Sequence, residues 1–141
     1  MTRPHHTSPR SLRTVVLCAV VLALAGCGAP AAREDAAARA GSAFEEALAV
    51  GDHARACTML APSTREQLEQ DKQQGCARAL AGEELPRAGR PQSVDAYGRQ
   101  AMVRMAGDTL FLSQFTGAWK VVAAGCTPRP DQPYQCRVKG A

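Results

Sequence analysis

Beyond residue 35, the pattern of apolar and polar positions begins with a helical period. Four apolar residues recur at i, i+4, i+7 and i+8 and form one stripe: Ala40, Phe44, Ala47 and Leu48. This spacing predicts a first helix over about 36–50, with Glu45 and Glu46 off the apolar stripe. Gly51 ends this helix, because glycine adopts the left-handed conformation of a helix C-terminus without strain.

Three shorter helical segments and a loop follow the first helix. Asp52 is a good N-cap for the second helix, and Ser63 with Glu66 three residues later predicts a capping box at the start of the third. The loop is rich in glycine, proline and charge, which favour turns over regular structure. The three helices are predicted at 53–60, 63–74 and 76–80, and the loop at 82–91.

The rest of the chain has the pattern of short strands separated by glycine-containing turns. Four antiparallel strands in a meander are predicted at 93–97, 100–105, 109–115 and 119–124. Whether residues 137–139 add a short last strand stays open. One face is predicted to be covered and the other to be outside: Phe111, Phe115, Trp119 and Val121 inside, Arg104, Gln114 and Lys120 outside. The domain is therefore predicted to be α+β, with N-terminal helices packed on a curved antiparallel sheet of about four strands.

A charged segment and an apolar run precede this domain. The first 13 residues carry three arginines and no acidic residue, and residues 14–25 are small or aliphatic. At about 12 residues the apolar run is shorter than the roughly 20 that a membrane-spanning helix needs, so the pattern is that of a secretory signal peptide. Ala23 and Ala25 also fit the A-x-A cleavage site of a soluble secreted protein.

The end of the apolar run reads Leu24-Ala25-Gly26-Cys27 and resembles the lipobox of bacterial lipoproteins. The resemblance implies that the Cys27 thiol receives a diacylglyceryl group and that a peptidase cuts between Gly26 and Cys27. Two acyl chains anchor firmly, since each buried methylene contributes about 0.8 kcal/mol. The predicted parts are a cleaved lipoprotein signal peptide at 1–26, a tether at 27–35 and a single α+β domain at 36–141. The mature protein is predicted to lie on the outer face of the cell membrane.

Removal of the signal peptide changes the charge balance of the chain. The remaining 115 residues are enough for one domain, and the loss of three arginines leaves 14 basic and 13 acidic residues. This near-neutral balance argues against a nucleic-acid partner and against a polybasic contact with anionic lipid. The diacylglyceryl anchor is therefore the predicted link to the membrane.

Four cysteines remain after the signal peptide and the lipidated residue: Cys57, Cys76, Cys126 and Cys136. An even number in an exported chain predicts two disulfides, with three connectivities open. The pairs Cys57 with Cys76 and Cys126 with Cys136 are favoured, because each pair lies within one supersecondary unit. No C-x-x-C motif occurs and His53 is the one histidine left, so neither a metal site nor a cofactor is predicted.

Three segments carry a further resemblance: GDHARACTMLAPSTREQL, FTGAWKVVAAGC and PYQC. Through them, residues 36–138 resemble small lipoproteins of the nuclear transport factor two-like fold from high-GC Gram-positive bacteria. The resemblance implies a cone-like arrangement of helices on a curved sheet, and it brings no active-site motif. A cystatin-like or other helix-on-sheet lipoprotein is the competing fold.

The functional prediction is a non-catalytic interaction or accessory module that meets another protein of the cell envelope. The alternative is a domain that binds a small apolar ligand in the cone interior, bordered by aromatic side chains: Phe44, Phe111, Phe115 and Trp119. A pocket enzyme is less favoured. It would use Asp95 and Tyr97, which share a strand face as residues i and i+2.

Overall fold

Helices occupy the first part of the domain and strands the second. The computed structural model describes residues 29–140, and those from Ala32 onward belong to one compact unit. The helices are α1 Ala29–Ala49, α2 His53–Met59, α3 Pro62–Lys72 and α4 Cys76–Gly82. The strands are β1 Pro91–Tyr97, β2 Gln100–Met105, β3 Thr109–Phe115, β4 Ala118–Arg129 and β5 Gln132–Lys139. The fold class is α+β, as the sequence predicts.

Helix α1 begins earlier than its apolar stripe does. Residues 29–35, which fall in the predicted tether, are helical. Alanine has the highest helix propensity, and Pro30 near the start of the helix costs no hydrogen bond there. The segment therefore extends the helix by about two turns although most of its side chains are exposed. None of the helices in residues 29–140 is long and apolar enough to span a membrane.

The five strands form one open antiparallel sheet in the order β1-β2-β3-β4-β5. The prediction of about four strands is therefore one short. The Pro-rich segment between Cys126 and Cys136 is a hairpin in which β4 continues to Arg129 and β5 returns from Gln132. Asp131 in the turn has a positive φ of 53°, which lets the chain reverse within two residues.

Both disulfides follow the favoured pairing. Cys57–Cys76 joins α2 to the first residue of α4, with the Cα atoms 6.1 Å apart. Cys126–Cys136 joins directly paired residues of β4 and β5, with the Cα atoms 3.9 Å apart. One bridge therefore fixes the short helices and the other fixes the terminal hairpin.

The start of α3 differs from the prediction, whereas that of α2 agrees with it. Asp52 caps α2, since its Oδ1 accepts the Arg55 N–H at 3.0 Å. The N-cap of α3 is Ala61 rather than Ser63, with no side-chain cap. The Ala61 N–H bonds the Val121 carbonyl at 2.8 Å, so the chain is held against β4 immediately before the helix begins.

The core lies between the helices and one face of the sheet. Its fully buried large side chains include Phe44, Leu80, Val103, Leu110, Leu112, Val121 and Val138. Helix α1 approaches the sheet closely at Gly41, where a Cβ atom would lie 3.3 Å from Cδ1 of Leu110 and 3.6 Å from Cγ1 of Val103. The missing side chain at Gly41 therefore lets the helix lie directly over β2 and β3.

Strand β3 turns its aromatic side chains away from this core. Leu110 and Leu112 are buried, so the alternation of a strand places Phe111 and Phe115 on the opposite face. The prediction that both phenylalanines line the covered face is wrong. The aliphatic residues of β3 occupy that face instead, where Leu112 pairs with Val121 across the strands.

Of the other predictions about which residues lie on each sheet face, most are confirmed and one is wrong. Trp119 and Val121 are buried on the covered side, as predicted. Arg104 alternates with buried neighbours and points outward, also as predicted. Lys120 also alternates with buried neighbours, but its ammonium group donates to the Thr58 carbonyl of α2 at 2.6 Å. Gln114 pairs with Trp119 in the register and therefore lies on the covered side, so its predicted outward position is wrong.

Candidate functional site

Helix α1 contains a buried glutamate, Glu45. Glu45 is only 7% exposed, although the sequence pattern places it off the apolar stripe. Position 45 lies four residues after Gly41 and three before Leu48, and residues at these separations share a helix face. The close approach of α1 to the sheet at Gly41 widens the buried stripe enough to include position 45.

The segment between α4 and β1 packs beside this glutamate. Ala88 is buried, and its carbonyl accepts the Gly107 N–H at 2.8 Å. The Arg90 carbonyl accepts the Ala106 N–H at 3.1 Å. These bonds fasten the loop to the β2–β3 turn, so residues 85–89 form a fixed wall opposite α1.

A second buried carboxylate, Asp108, lies in the β2–β3 turn. Its Oδ1 accepts the N–H groups of Thr109 at 2.6 Å and Cys126 at 2.9 Å, and its Oδ2 accepts the Gly125 N–H at 2.9 Å. Burial raises the pKa of Asp108, while these three amides oppose that shift. The side chain therefore ties the turn to the irregular backbone of β4, where Gly125 has a φ of 65°.

The two carboxylates differ in their hydrogen bonding. The Oε1 atom of Glu45 has no hydrogen-bond partner among residues 29–140. Burial, with a further contribution from the negative charge of Asp108, raises the pKa of Glu45 to about 7, and the backbone amide of Ala88 opposes the shift. Glu45 is thus an acid that changes charge near neutral pH and has an unused acceptor atom.

Glu45 lines a cleft of about 460 Å³ between α1 and residues 85–89, hereafter the α1–loop cleft. Its walls combine apolar and polar side chains, among them Ser42, Glu46, Leu48, Leu85 and Arg87. The volume lies in the range of small-molecule sites, in which apolar walls surround a few polar groups. We take this cleft as the candidate functional site.

The four aromatic residues predicted to border a ligand pocket do not meet around one hollow. Phe44 and Trp119 are core side chains. Phe111 lies on the outer sheet face and contacts Tyr134 edge-to-face, with ring centroids 5.2 Å apart, and Phe115 is 38% exposed there. None of the four lines the α1–loop cleft.

The predicted acid–base pair is on the outer sheet face. Asp95 forms an ion pair with Arg104, which also bonds the Ser93 hydroxyl, and Tyr97 is 73% exposed. Neither residue lines the α1–loop cleft. Among residues 29–140, no group of three or more Asp, Glu, His or Cys side chains is placed to hold a metal ion. The predicted cleavage and lipidation site, Gly26 and Cys27, lies outside the described residues.

Comparisons with protein-family models, with curated proteins and with solved structures found no match for this chain.

The sequence contains a weak signal for the residues that build the cleft. Glu45 occurs beside Phe44 within an otherwise alanine-rich helix, at a spacing from Gly41 that allows burial. Asp108 follows a glycine in a tight turn, where aspartate is common for reasons of turn geometry alone. The local sequence at neither position predicts a buried carboxylate, because the packing partners of both residues come from distant parts of the chain.

Proposed function

We propose that this chain is a lipid-anchored, extracytoplasmic, non-catalytic domain that serves as an interaction or accessory module at the cell envelope. Cys27 would be its diacylated first residue and Gly26 the last residue of the signal peptide. The outer face of the cell membrane would be its location, and another envelope protein its partner.

The observation that carries this proposal is the pair of disulfides. Cys57–Cys76 and Cys126–Cys136 use all four cysteines of the chain beyond Cys27. Disulfides persist in oxidising compartments and are rare in the cytosol of most organisms. Their presence in the folded domain agrees with export by the N-terminal signal and with Cys27 being reserved for lipid.

The outer face of the sheet is the surface we assign to a protein partner. It presents aromatic side chains with polar neighbours, which is a common composition for interfaces: Tyr97, Phe111, Phe115 and Tyr134. The ion pair of Asp95 with Arg104 lies among them. Because it occupies the carboxylate of the predicted acid–base pair, it favours binding over catalysis at this face.

The nuclear transport factor two-like cone is part of the same proposal. Four helices and an open antiparallel meander in one α+β domain support it. The fifth strand lengthens the sheet beyond the four strands of the initial prediction.

The anchor is tested by intact mass of the protein extracted from membranes. We expect a chain that begins at Cys27 with a diacylglyceryl group and that gains four hydrogen masses on reduction. Cys27→Ser should release the protein from the membrane fraction or leave it uncleaved, whereas a control such as Cys18→Ser in the signal peptide should not. A soluble native protein that is trimmed elsewhere would contradict the proposal.

A second function, the binding of a small ligand, is favoured by the α1–loop cleft. The cleft has a suitable volume and contains a buried carboxylate with an unpaired oxygen atom. It differs from the predicted cone interior, since the predicted aromatic residues do not line it. Titration of the full chain with small organic molecules, observed by calorimetry, tests this function.

A further inference from the structure

We propose that the α1–loop cleft binds a small organic cation, namely a primary ammonium group on a short apolar body, and that the Glu45 carboxylate receives the ammonium. This inference rests on the second function proposed above and does not depend on the lipid anchor.

The hydrogen bonds of the two carboxylates single out Glu45. Asp108 uses both of its oxygen atoms on backbone amides, whereas Oε1 of Glu45 has no partner among residues 29–140. This oxygen atom is closed to solvent, so an ammonium group reaches it when the Glu45 side chain turns toward the cleft. A buried acceptor without a donor is costly, and a buried charge without a counter-charge is more so. An ammonium group supplies a counter-charge and up to three donors in one small group.

The described part of the chain provides no cation for this carboxylate. Arg87 lines the cleft, but no ion pair joins its guanidinium group to Glu45. The ion pairs of residues 29–140 are Arg65–Glu69, Lys72–Glu83 and Arg104–Asp95. A counter-charge for the ionised form of Glu45 would therefore come from outside the chain or from a rearrangement of Arg87.

The composition of the cleft favours an organic cation over a metal ion. Calcium takes six to eight oxygen ligands, and the described residues offer no group of three metal-ligating side chains. The apolar walls at Leu48, Leu85 and Pro86 would contact a hydrocarbon body rather than hydration water. Glu46 adds a second negative charge at the rim, which disfavours an anionic ligand.

The test uses the full chain in a nonionic detergent and two probes of the same shape, cyclohexylammonium and cyclohexanol. Calorimetry should show that cyclohexylammonium binds at least about tenfold more tightly than cyclohexanol, because charge-assisted hydrogen bonds are the stronger ones. Glu45→Gln should abolish this preference. Asp35→Asn is the matched control, since this exposed carboxylate lies on the same helix but outside the cleft. It should keep most of the preference and also corrects for partition of the probe into micelles.

A pH series gives a second readout. The charged groups around Glu45 are Glu46 on α1, Arg87 in the loop and Asp108 in the β2–β3 turn. Because the pKa of Glu45 is about 7, affinity for cyclohexylammonium should rise from pH 6 to pH 8 in the native protein and stay flat in Glu45→Gln. A thermal melt of each variant establishes that it is folded.

The outcomes separate the two levels of the proposal. Equal affinity for cyclohexanol and cyclohexylammonium would overturn the cation assignment and leave the ligand-binding function standing. No binding of either probe would overturn both. Glu45-dependent binding of calcium chloride, with no effect of cyclohexylammonium, would replace the organic cation by a metal ion and contradict the inference.

Discussion

The charge of Glu45 should set the pH dependence of the stability of this domain. The folded protein raises the pKa of Glu45 from its ordinary value of 4.5 to about 7. The folded state therefore holds this proton over a pH range in which the unfolded chain has already released it. The contribution of Glu45 to stability is complete below pH 4.5, falls as the pH rises toward 7 and levels off above it.

The magnitude follows from the size of the shift. One pKa unit corresponds to 1.36 kcal/mol, so a shift from 4.5 to about 7 corresponds to a loss of about 3 kcal/mol between pH 4.5 and pH 8. Glu45→Gln keeps the shape of the side chain and removes the ionisation. At pH 8 it should raise the free energy of unfolding by up to about 3 kcal/mol, and at pH 4.5 it should change little.

The assay is urea denaturation under non-reducing conditions at several pH values between 4.5 and 8. The burial of Asp108 also raises its pKa, so the difference between native protein and variant at each pH is the relevant quantity. Glu46→Gln, on the exposed side of α1, should give a curve parallel to that of the native protein. A Glu45→Gln curve parallel to the native one, or a variant less stable at pH 8, would refute this account of Glu45.

Three further predictions concern the elements that hold the domain together. Asp108→Asn should lower the free energy of unfolding by about 2 kcal/mol, because an amide cannot accept all three N–H bonds; an unchanged urea midpoint would contradict this. Gly125→Ala should destabilise by more than Gly117→Ala in thermal melts, because both positions have positive φ but only a Cβ at 125 meets other side chains, at 2.7 Å from the nearest; equal effects would exclude that contact as the cause. Replacement of Cys57 and Cys76 together by alanine should lower the free energy of unfolding in urea by about 3 kcal/mol. Reduction of the native protein should lower it further, because reduction also opens the Cys126–Cys136 bridge; an equal loss in the two cases would contradict this.

Local patterns were sufficient for most of the elements and for the preferred cysteine pairing, but not for the helical tether or the fifth strand. Asp52 predicts the start of α2 because a side-chain cap acts within one helical turn. The disulfides pair within single supersecondary units, where few residues separate the cysteines and little chain entropy opposes their approach. The strands β2 and β3 begin and end where their flanking turns predict.

Where two local patterns competed, the fold chose between them. Each set of alternate residues in β3 contains two large apolar side chains, Leu110 and Leu112 in one set and Phe111 and Phe115 in the other. Either face could be buried by its own composition. Helix α1 lies so close to β2 and β3 at Gly41 that there is little space between helix and sheet. Leu110 and Leu112 occupy that face. A single strand does not contain this information.

The sequence by itself determined the α+β class, the order and type of most elements and a preference for the observed cysteine pairing, because these depend on interactions between residues close along the chain. The tertiary structure alone decided that Glu45 is buried, that Asp108 binds the backbone of β4 and that a cleft opens beside residues 85–89. These features depend on contacts between α1, the β2–β3 turn and a loop. Desolvation and charge coupling arise only when such distant segments meet, so the chemistry of the site belongs to the fold.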